Sequence, residues 1–115
     1  MDPETEGCAA DAYTVQGVYI TANGLTLGYL ELRYSSGCDA NWARITSDVG
    51  DYDAGTTFAA SVVNCYGSDS YTVYASNWPT YTVIYTDMLN GSETVKATGS
   101  IVSDDGNGSN QTSCY

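Results

Sequence analysis

The chain has 115 residues, enough for a single domain with one modest core. Fourteen carboxylates oppose three cations, Arg33, Arg44 and Lys96, and the net charge of −11 disfavours nucleic-acid partners and anionic lipid surfaces. No apolar run approaches the roughly 18 residues that a membrane-spanning helix needs, and the lack of histidine excludes Ser-His-Asp catalysis and His-bearing metal sites.

The composition favours strands over helices. Tyrosine occurs 11 times and glycine 12 times, and threonine, serine and valine are frequent, whereas the strong helix formers glutamate and lysine are scarce. Residues 1–115 are therefore predicted to form one all-β domain.

The first predicted element is a β-hairpin across residues 12–35. Its turn is Asn23-Gly24, a pair typical of a type I′ turn because both central residues need positive φ. With a two-residue turn, facing residue numbers add to 47, which gives one apolar and one polar face. The predicted pairs are Tyr13–Tyr34, Val15–Leu32 and Gly17–Leu30 on the apolar face, and Thr14–Arg33 and Gln16–Glu31 on the polar face.

Four cysteines predict two disulfides, because none lies in a C-x-x-C zinc spacing. The hairpin register brings Cys8 opposite residue 39, one position from Cys38, so we predict a Cys8–Cys38 bridge. Elimination leaves Cys65–Cys114, which would hold a C-terminal tail that is otherwise flexible over 104–110. Disulfides indicate a secreted or cell-surface location, and since no leader follows Met1, a mature domain is expected.

The remaining elements are predicted from β-rich runs separated by turn residues. They are a strand at 40–46, a loop at 47–57, strands at 58–66 and 71–76, a turn at 77–80, and a hairpin at 81–102. This last hairpin turns at Asn90-Gly91; we prefer a three-residue loop that pairs Val95 with Tyr85 and uses a left-handed Gly91. Six to seven strands imply a small antiparallel barrel or a two-sheet sandwich.

An acidic, glycine-rich loop carries Asp48, Asp51 and Asp53. These carboxylates are weak candidates for a calcium site, although the spacing does not match an EF-hand. A carboxylate-dependent hydrolase would use two such carboxylates, and hydrolysis is the least favoured function. The preferred interpretation is that these aspartates are solvated turn residues and bind no metal or other cofactor.

Arg33 and Arg44 lie within one window rich in aromatic and apolar residues. Arg33 shares a strand face with Glu31, so a structural ion pair or stacking on an aromatic ring is the favoured interpretation. The alternative is an anion-binding arginine pair.

The 11 tyrosines and two tryptophans exceed what one small core can bury, so some are expected at the surface. Exposed tyrosine on a rigid sheet suits carbohydrate stacking or protein contact. Cross-strand aromatic pairs on a solvated sheet are an equally favoured alternative.

Most of the chain resembles a family of small secreted or surface-displayed bacterial proteins of unknown function, the YjfA-like family. The matching runs are Gly7-Cys8-Ala9-Ala10-Asp11-Ala12, Glu31-Leu32-Arg33-Tyr34-Ser35, Cys38, Asn41-Trp42-Ala43-Arg44, Tyr85-Thr86-Asp87-Met88-Leu89 and Val95-Lys96-Ala97. The resemblance implies an extracytoplasmic location and favours a binding or sensing module. It marks Glu31, Arg33, Tyr34, Asn41, Trp42 and Arg44 as structural or binding residues.

These observations favour a non-catalytic extracellular module that recognises a protein, a glycan or a cell-envelope component through an aromatic-rich β-surface. The alternative is a subunit that binds copies of itself to form an extracellular filament or coat, either by packing tyrosine-rich faces or by donating an edge strand.

Overall fold

The computed structural model describes residues 6–47, 57–76, 83–103 and 106–115. Within these ranges the chain forms one 3₁₀ turn and nine strands, and no helix is long and apolar enough to span a bilayer. The elements are the 3₁₀ turn Cys8–Asp11, β1 Tyr13–Ala22, β2 Leu25–Ser35, β3 Ala40–Ser47, β4 Thr57–Asn64, β5 Ser70–Ser76, β6 Val83–Tyr85, β7 Leu89–Asn90, β8 Val95–Ser103 and β9 Gly106–Gln111.

The strands form two antiparallel sheets that pack face to face. Sheet A has the order β1-β2-β3-β6, with β7 also pairing with β3, and sheet B has the order β5-β4-β8-β9. The residues between them are apolar and almost fully buried, as strand alternation requires. They include Ile20, Leu27, Leu30, Leu32, Ile45, Phe58, Val62, Val95 and Ile101. The all-β prediction is confirmed, and of the two predicted architectures the sandwich is the one observed.

The first hairpin has the predicted turn. Asn23 and Gly24 take positive φ of 53° and 81°. The pairing at the open end also follows the prediction, with Tyr13 opposite Tyr34 and Thr14 opposite Arg33. The turn and the strand pairing at the open end of this hairpin were therefore both predictable from local sequence.

Between these ends the predicted register is wrong by one residue. Gln16 lies opposite Leu32 and Gly17 opposite Glu31, because β1 holds one extra residue at position 15 and β2 holds one at position 27. The predicted pairs Val15–Leu32, Gly17–Leu30 and Gln16–Glu31 do not form. The second bulge lets Leu27 enter the core, where it is 1% exposed, and the two bulges cancel so that the ends stay in register.

Both predicted disulfides are present. Cys8–Cys38 closes the open end of the first hairpin, and Cys65–Cys114 ties the C-terminus to the end of β4. The segment before Cys114 is not a flexible tail, because residues 106–111 form β9 and pair with β8. Residues 104 and 105 and the acidic loop with Asp48, Asp51 and Asp53 lie outside the described residues.

The predicted hairpin over 81–102 does not form, and Val95 does not pair with Tyr85. β6 and β7 pair with β3 in sheet A, whereas β8 pairs along its length with β4 in sheet B. The chain therefore crosses between the sheets near Asn90-Gly91. Gly91 does not take the expected left-handed φ; a Cβ there would lie 2.9 Å from the Asp39 carbonyl oxygen, so glycine is needed for close approach.

Candidate functional site

The outer face of sheet A brings four of the six family-motif residues together. Strand alternation turns Leu30 and Leu32 into the core and leaves the intervening residues on the opposite side. The register then sets Glu31 opposite Arg44 and Arg33 opposite Trp42. We call Glu31, Arg33, Trp42 and Arg44 the motif cluster.

The other two motif residues do not join this cluster. Tyr34 and Asn41 face each other in the ladder one position farther along, so alternation directs them to the other side of the sheet. The Tyr34 hydroxyl donates to Asp39 at 2.8 Å, and the Tyr34 ring meets Tyr13 edge to face. Tyr19 and Tyr29 also form a ring contact, so the predicted cross-strand aromatic pairs are present.

Glu31 is the acceptor at the centre of the motif cluster. Arg44 donates to its Oε1 from Nε at 3.1 Å and from Nη2 at 2.8 Å. The hydroxyl of Thr14 donates to its Oε2, and the side chain is only 8% exposed. Both carboxylate oxygens are thus occupied, and the close ion pair of Glu31 is with Arg44 at 2.8 Å, whereas the expected partner Arg33 lies 3.8 Å away.

Arg33 is less completely compensated. Its Nη1 lies 3.8 Å from Glu31 Oε2 and donates instead to Thr14 Oγ1 at 2.7 Å, while Nη2 donates to the Ala12 carbonyl at 3.3 Å. Its buried Nε has no hydrogen-bond partner among the described residues. Burial, followed by repulsion from Arg44, lowers the pKa of Arg33 despite the attraction of Glu31. Because a guanidinium stays charged in proteins, this is a partly buried cation with incomplete pairing.

The N-terminal 3₁₀ turn covers one end of the motif cluster. Cys8 is 1% exposed and packs with Ala40, Trp42 and Met88. Asp11, at the end of the turn, accepts hydrogen bonds from the Ser35 hydroxyl and the Gly37 amide, which lower the pKa of its carboxyl. The disulfide and this charged anchor hold the turn against the sheet.

A cavity of about 360 Å³ remains between the turn and the sheet, and we call it the arginine pocket. Its walls combine two guanidinium groups with aromatic rings and methyl groups. The lining residues are Gly7, Ala9, Ala10, Arg33, Trp42, Arg44, Val83 and Tyr85.

The outer face of sheet B carries a different cavity. Two rows of paired residues cross all four strands, one running Tyr74–Ala59–Ser100–Ser109 and the other Thr72–Ser61–Thr98–Gln111. Together with Gly99 and Asn110 they line a cavity of about 570 Å³, which we call the hydroxyl groove.

The hydroxyl groove is neutral although the chain is strongly acidic. Its described lining contains no aspartate, glutamate, lysine or arginine. The Tyr74 side chain is 74% exposed beside Ala59, which leaves open space next to the ring. Ser61 and Thr72 share a hydrogen bond of 2.7 Å across the floor.

The hydroxyl groove was not predicted from the sequence. A signal was present: small residues, three of them with hydroxyl groups, alternate along β8 and β4, at Thr98 and Ser100 and at Ala59 and Ser61. No single strand shows, however, that these residues form continuous rows with Tyr74.

The described residues include no group of three or more histidine, cysteine, aspartate or glutamate side chains placed to hold a metal ion. The calcium candidates Asp48, Asp51 and Asp53 lie outside those residues, so the calcium prediction stays a prediction.

Comparison with models of protein families gives a match. The family described as "Protein of unknown function (DUF2690)" matches residues 1–100, which include the motif cluster and most of the hydroxyl groove. Neither the curated proteins nor the solved structures contain a match to this chain.

Proposed function

The chain belongs to the DUF2690 family of proteins of unknown function, and we propose that it is a non-catalytic extracellular module that binds a neutral glycan in the hydroxyl groove. The observation that carries the proposal is a highly exposed tyrosine beside an uncharged groove of hydroxyl and amide groups on a molecule of net charge −11.

The chemistry of the groove matches that of a sugar. Serine and threonine hydroxyls and the Gln111 amide each donate and accept hydrogen bonds, as sugar hydroxyls do. The Tyr74 ring offers a flat apolar surface of low conformational entropy for the apolar face of a sugar ring. The volume of about 570 Å³ lies within the usual range of ligand sites.

The same lining supports binding rather than catalysis. General acid–base hydrolysis of a glycosidic bond uses two carboxyl groups, and the described lining has none. The two disulfides support an oxidising, extracellular compartment.

Tyr74→Ala is expected to weaken binding of the recognised glycan at least tenfold without changing stability by more than about 0.5 kcal/mol, because the side chain is exposed. A glycan and cell-wall array identifies the ligand, and calorimetric titration then measures affinity. Tyr66→Ala is the matched control, since Tyr66 is 87% exposed and lies outside the groove. Equal affinities for the two variants, or no retention of any array component, would contradict the proposal.

Self-assembly through β5 is a second candidate. Residues 70–76 contain no charge and no proline, the two features that usually protect an edge strand, and among the described residues β5 pairs only with β4. Wild-type protein is then expected to form oligomers that Thr72→Lys disperses, because the lysine charges repel across a paired edge. Sedimentation at several salt and calcium concentrations measures this, and a strict monomer under all conditions excludes it.

A further inference from the structure

Among the described residues, the two arginines of the arginine pocket share a single carboxylate, that of Glu31, which leaves an excess of one positive charge. Two guanidinium groups line the pocket, and the described lining contains no carboxylate. Glu31, the nearest acid in contact with them, accepts two hydrogen bonds from Arg44 and one from Thr14. The Glu31 carboxylate is therefore paired mainly with Arg44 and compensates the charge of Arg33 less.

Arg33 has donor capacity left over. Its side chain is 15% exposed, and among the described residues Nη1 and Nη2 each donate only one of their two N–H groups, to Thr14 and to the Ala12 carbonyl. Nη1 lies 3.8 Å from Glu31, and Nε, which has no partner among these residues, is buried from solvent. Arg44 is more accessible, with 33% of its side chain exposed. A planar guanidinium that is partly desolvated and incompletely paired binds anions strongly, because its forked donors match a carboxylate.

The other walls of the arginine pocket restrict which chemical group the ligand carries next to its anionic group. Tyr85 and Val83 are half-buried and present apolar surface beside the arginines, whereas Trp42, although it adjoins the pocket, is 3% exposed. A volume of about 360 Å³ is near the lower limit for ligand sites, which suits a group the size of one amino acid.

The charge of the whole chain restricts the ligand further. With a net charge of −11, a dianion such as phosphate is repelled about twice as strongly as a monoanion at the same distance. The attraction of a dianion to the two arginines doubles as well, but Arg33, Arg44 and Glu31 together carry a net charge of +1, which a monoanion neutralises and a dianion exceeds. A singly charged ligand is therefore favoured on this acidic chain.

We infer that the arginine pocket binds a monovalent carboxylate that carries an apolar group, independently of the hydroxyl groove. The ligand is either a free carboxylic acid or the C-terminal carboxylate of a peptide. The carboxylate lies against Arg33 and Arg44, and the apolar group lies against Tyr85 and Val83, next to Trp42.

Titration of the full chain with sodium phenylacetate, followed by NMR of the indole N–H of Trp42, tests this inference. Saturable binding is expected, with phenylacetamide at least tenfold weaker because it lacks the charge. Acetyl-Gly-Phe, with a free and with an amidated C-terminus, distinguishes the two sources of the carboxylate. If the free peptide acid binds more tightly than phenylacetate, the ligand is the C-terminal end of a peptide. If phenylacetate binds more tightly than the free peptide acid, the ligand is a free carboxylic acid.

Two variants locate the site. Arg44→Gln is expected to weaken phenylacetate binding at least tenfold, and Val83→Phe is expected to abolish it by filling the pocket while leaving both arginines in place. Tyr66→Ala, outside the pocket, is the control, and circular dichroism confirms that each variant is folded. Equal binding of acid and amide, tighter binding of inorganic phosphate than of phenylacetate, or unchanged binding by Val83→Phe would overturn the inference.

Discussion

Replacing both Cys8 and Cys38 with alanine is expected to lower the free energy of unfolding by about 3.6 kcal/mol. The bridge closes a sequence separation of 30 residues, and the loss is the loop-closure entropy that it removes from the unfolded chain. The total free energy of unfolding of a native protein is roughly 5–15 kcal/mol, so the variant is expected to lose a large share of its stability.

The second bridge provides a matched comparison. Cys65–Cys114 spans 49 residues, and the same entropy argument gives about 4.1 kcal/mol for its removal. Only the loss of Cys8–Cys38 also releases the turn over the arginine pocket. Urea denaturation of both double variants measures the stabilities, and phenylacetate titration measures the pocket. An unaltered pocket after loss of Cys8–Cys38, or a loss below about 1 kcal/mol, would contradict this role.

Glu31→Gln is expected to destabilise the protein by about 3 kcal/mol. The Glu31 side chain is 8% exposed and accepts from Arg44 and Thr14. Its loss leaves two neighbouring guanidinium groups without a carboxylate partner among the described residues. Removing one partner of a buried ion pair costs roughly 3–5 kcal/mol. The lower end applies because one third of the Arg44 side chain is exposed to solvent screening.

Arg44→Gln is the control for this prediction, with an expected loss of about 1 kcal/mol, as for a partly exposed pair. Glu31 then keeps the Thr14 hydroxyl and the more distant Arg33. Urea denaturation at neutral pH compares the two variants. If Arg44→Gln costs as much as Glu31→Gln, the centre of the cluster is not the Glu31 carboxylate.

The features that were predictable from sequence depend on residues close in the chain. Asn23-Gly24 specifies its turn through the conformations these two residues adopt readily. This turn sets the hairpin register, which places Cys8 near Cys38. Because the chain has four cysteines, Cys65 and Cys114 are then the only remaining pair.

The features that were not predictable depend on competition between distant strands. Val83–Tyr85 and Val95–Ser103 flank a turn-like segment, yet they belong to different sheets because β8 forms longer ladders with β4 and β9. The bulge at Leu27 has a similar origin, since burial of that side chain between the sheets offsets one unpaired ladder position.

By itself, then, the sequence determined the strand content, the first turn and both disulfide pairings, because local conformational preference and cysteine number decide them. The tertiary structure alone decided the two cavities. Arg33 and Arg44 become neighbours of one carboxylate only through the β2–β3 register, and Tyr74 meets its rows of hydroxyl groups only when four strands pair in order. Pairing across a sheet is chosen by the packing of the whole sandwich, which no local segment encodes.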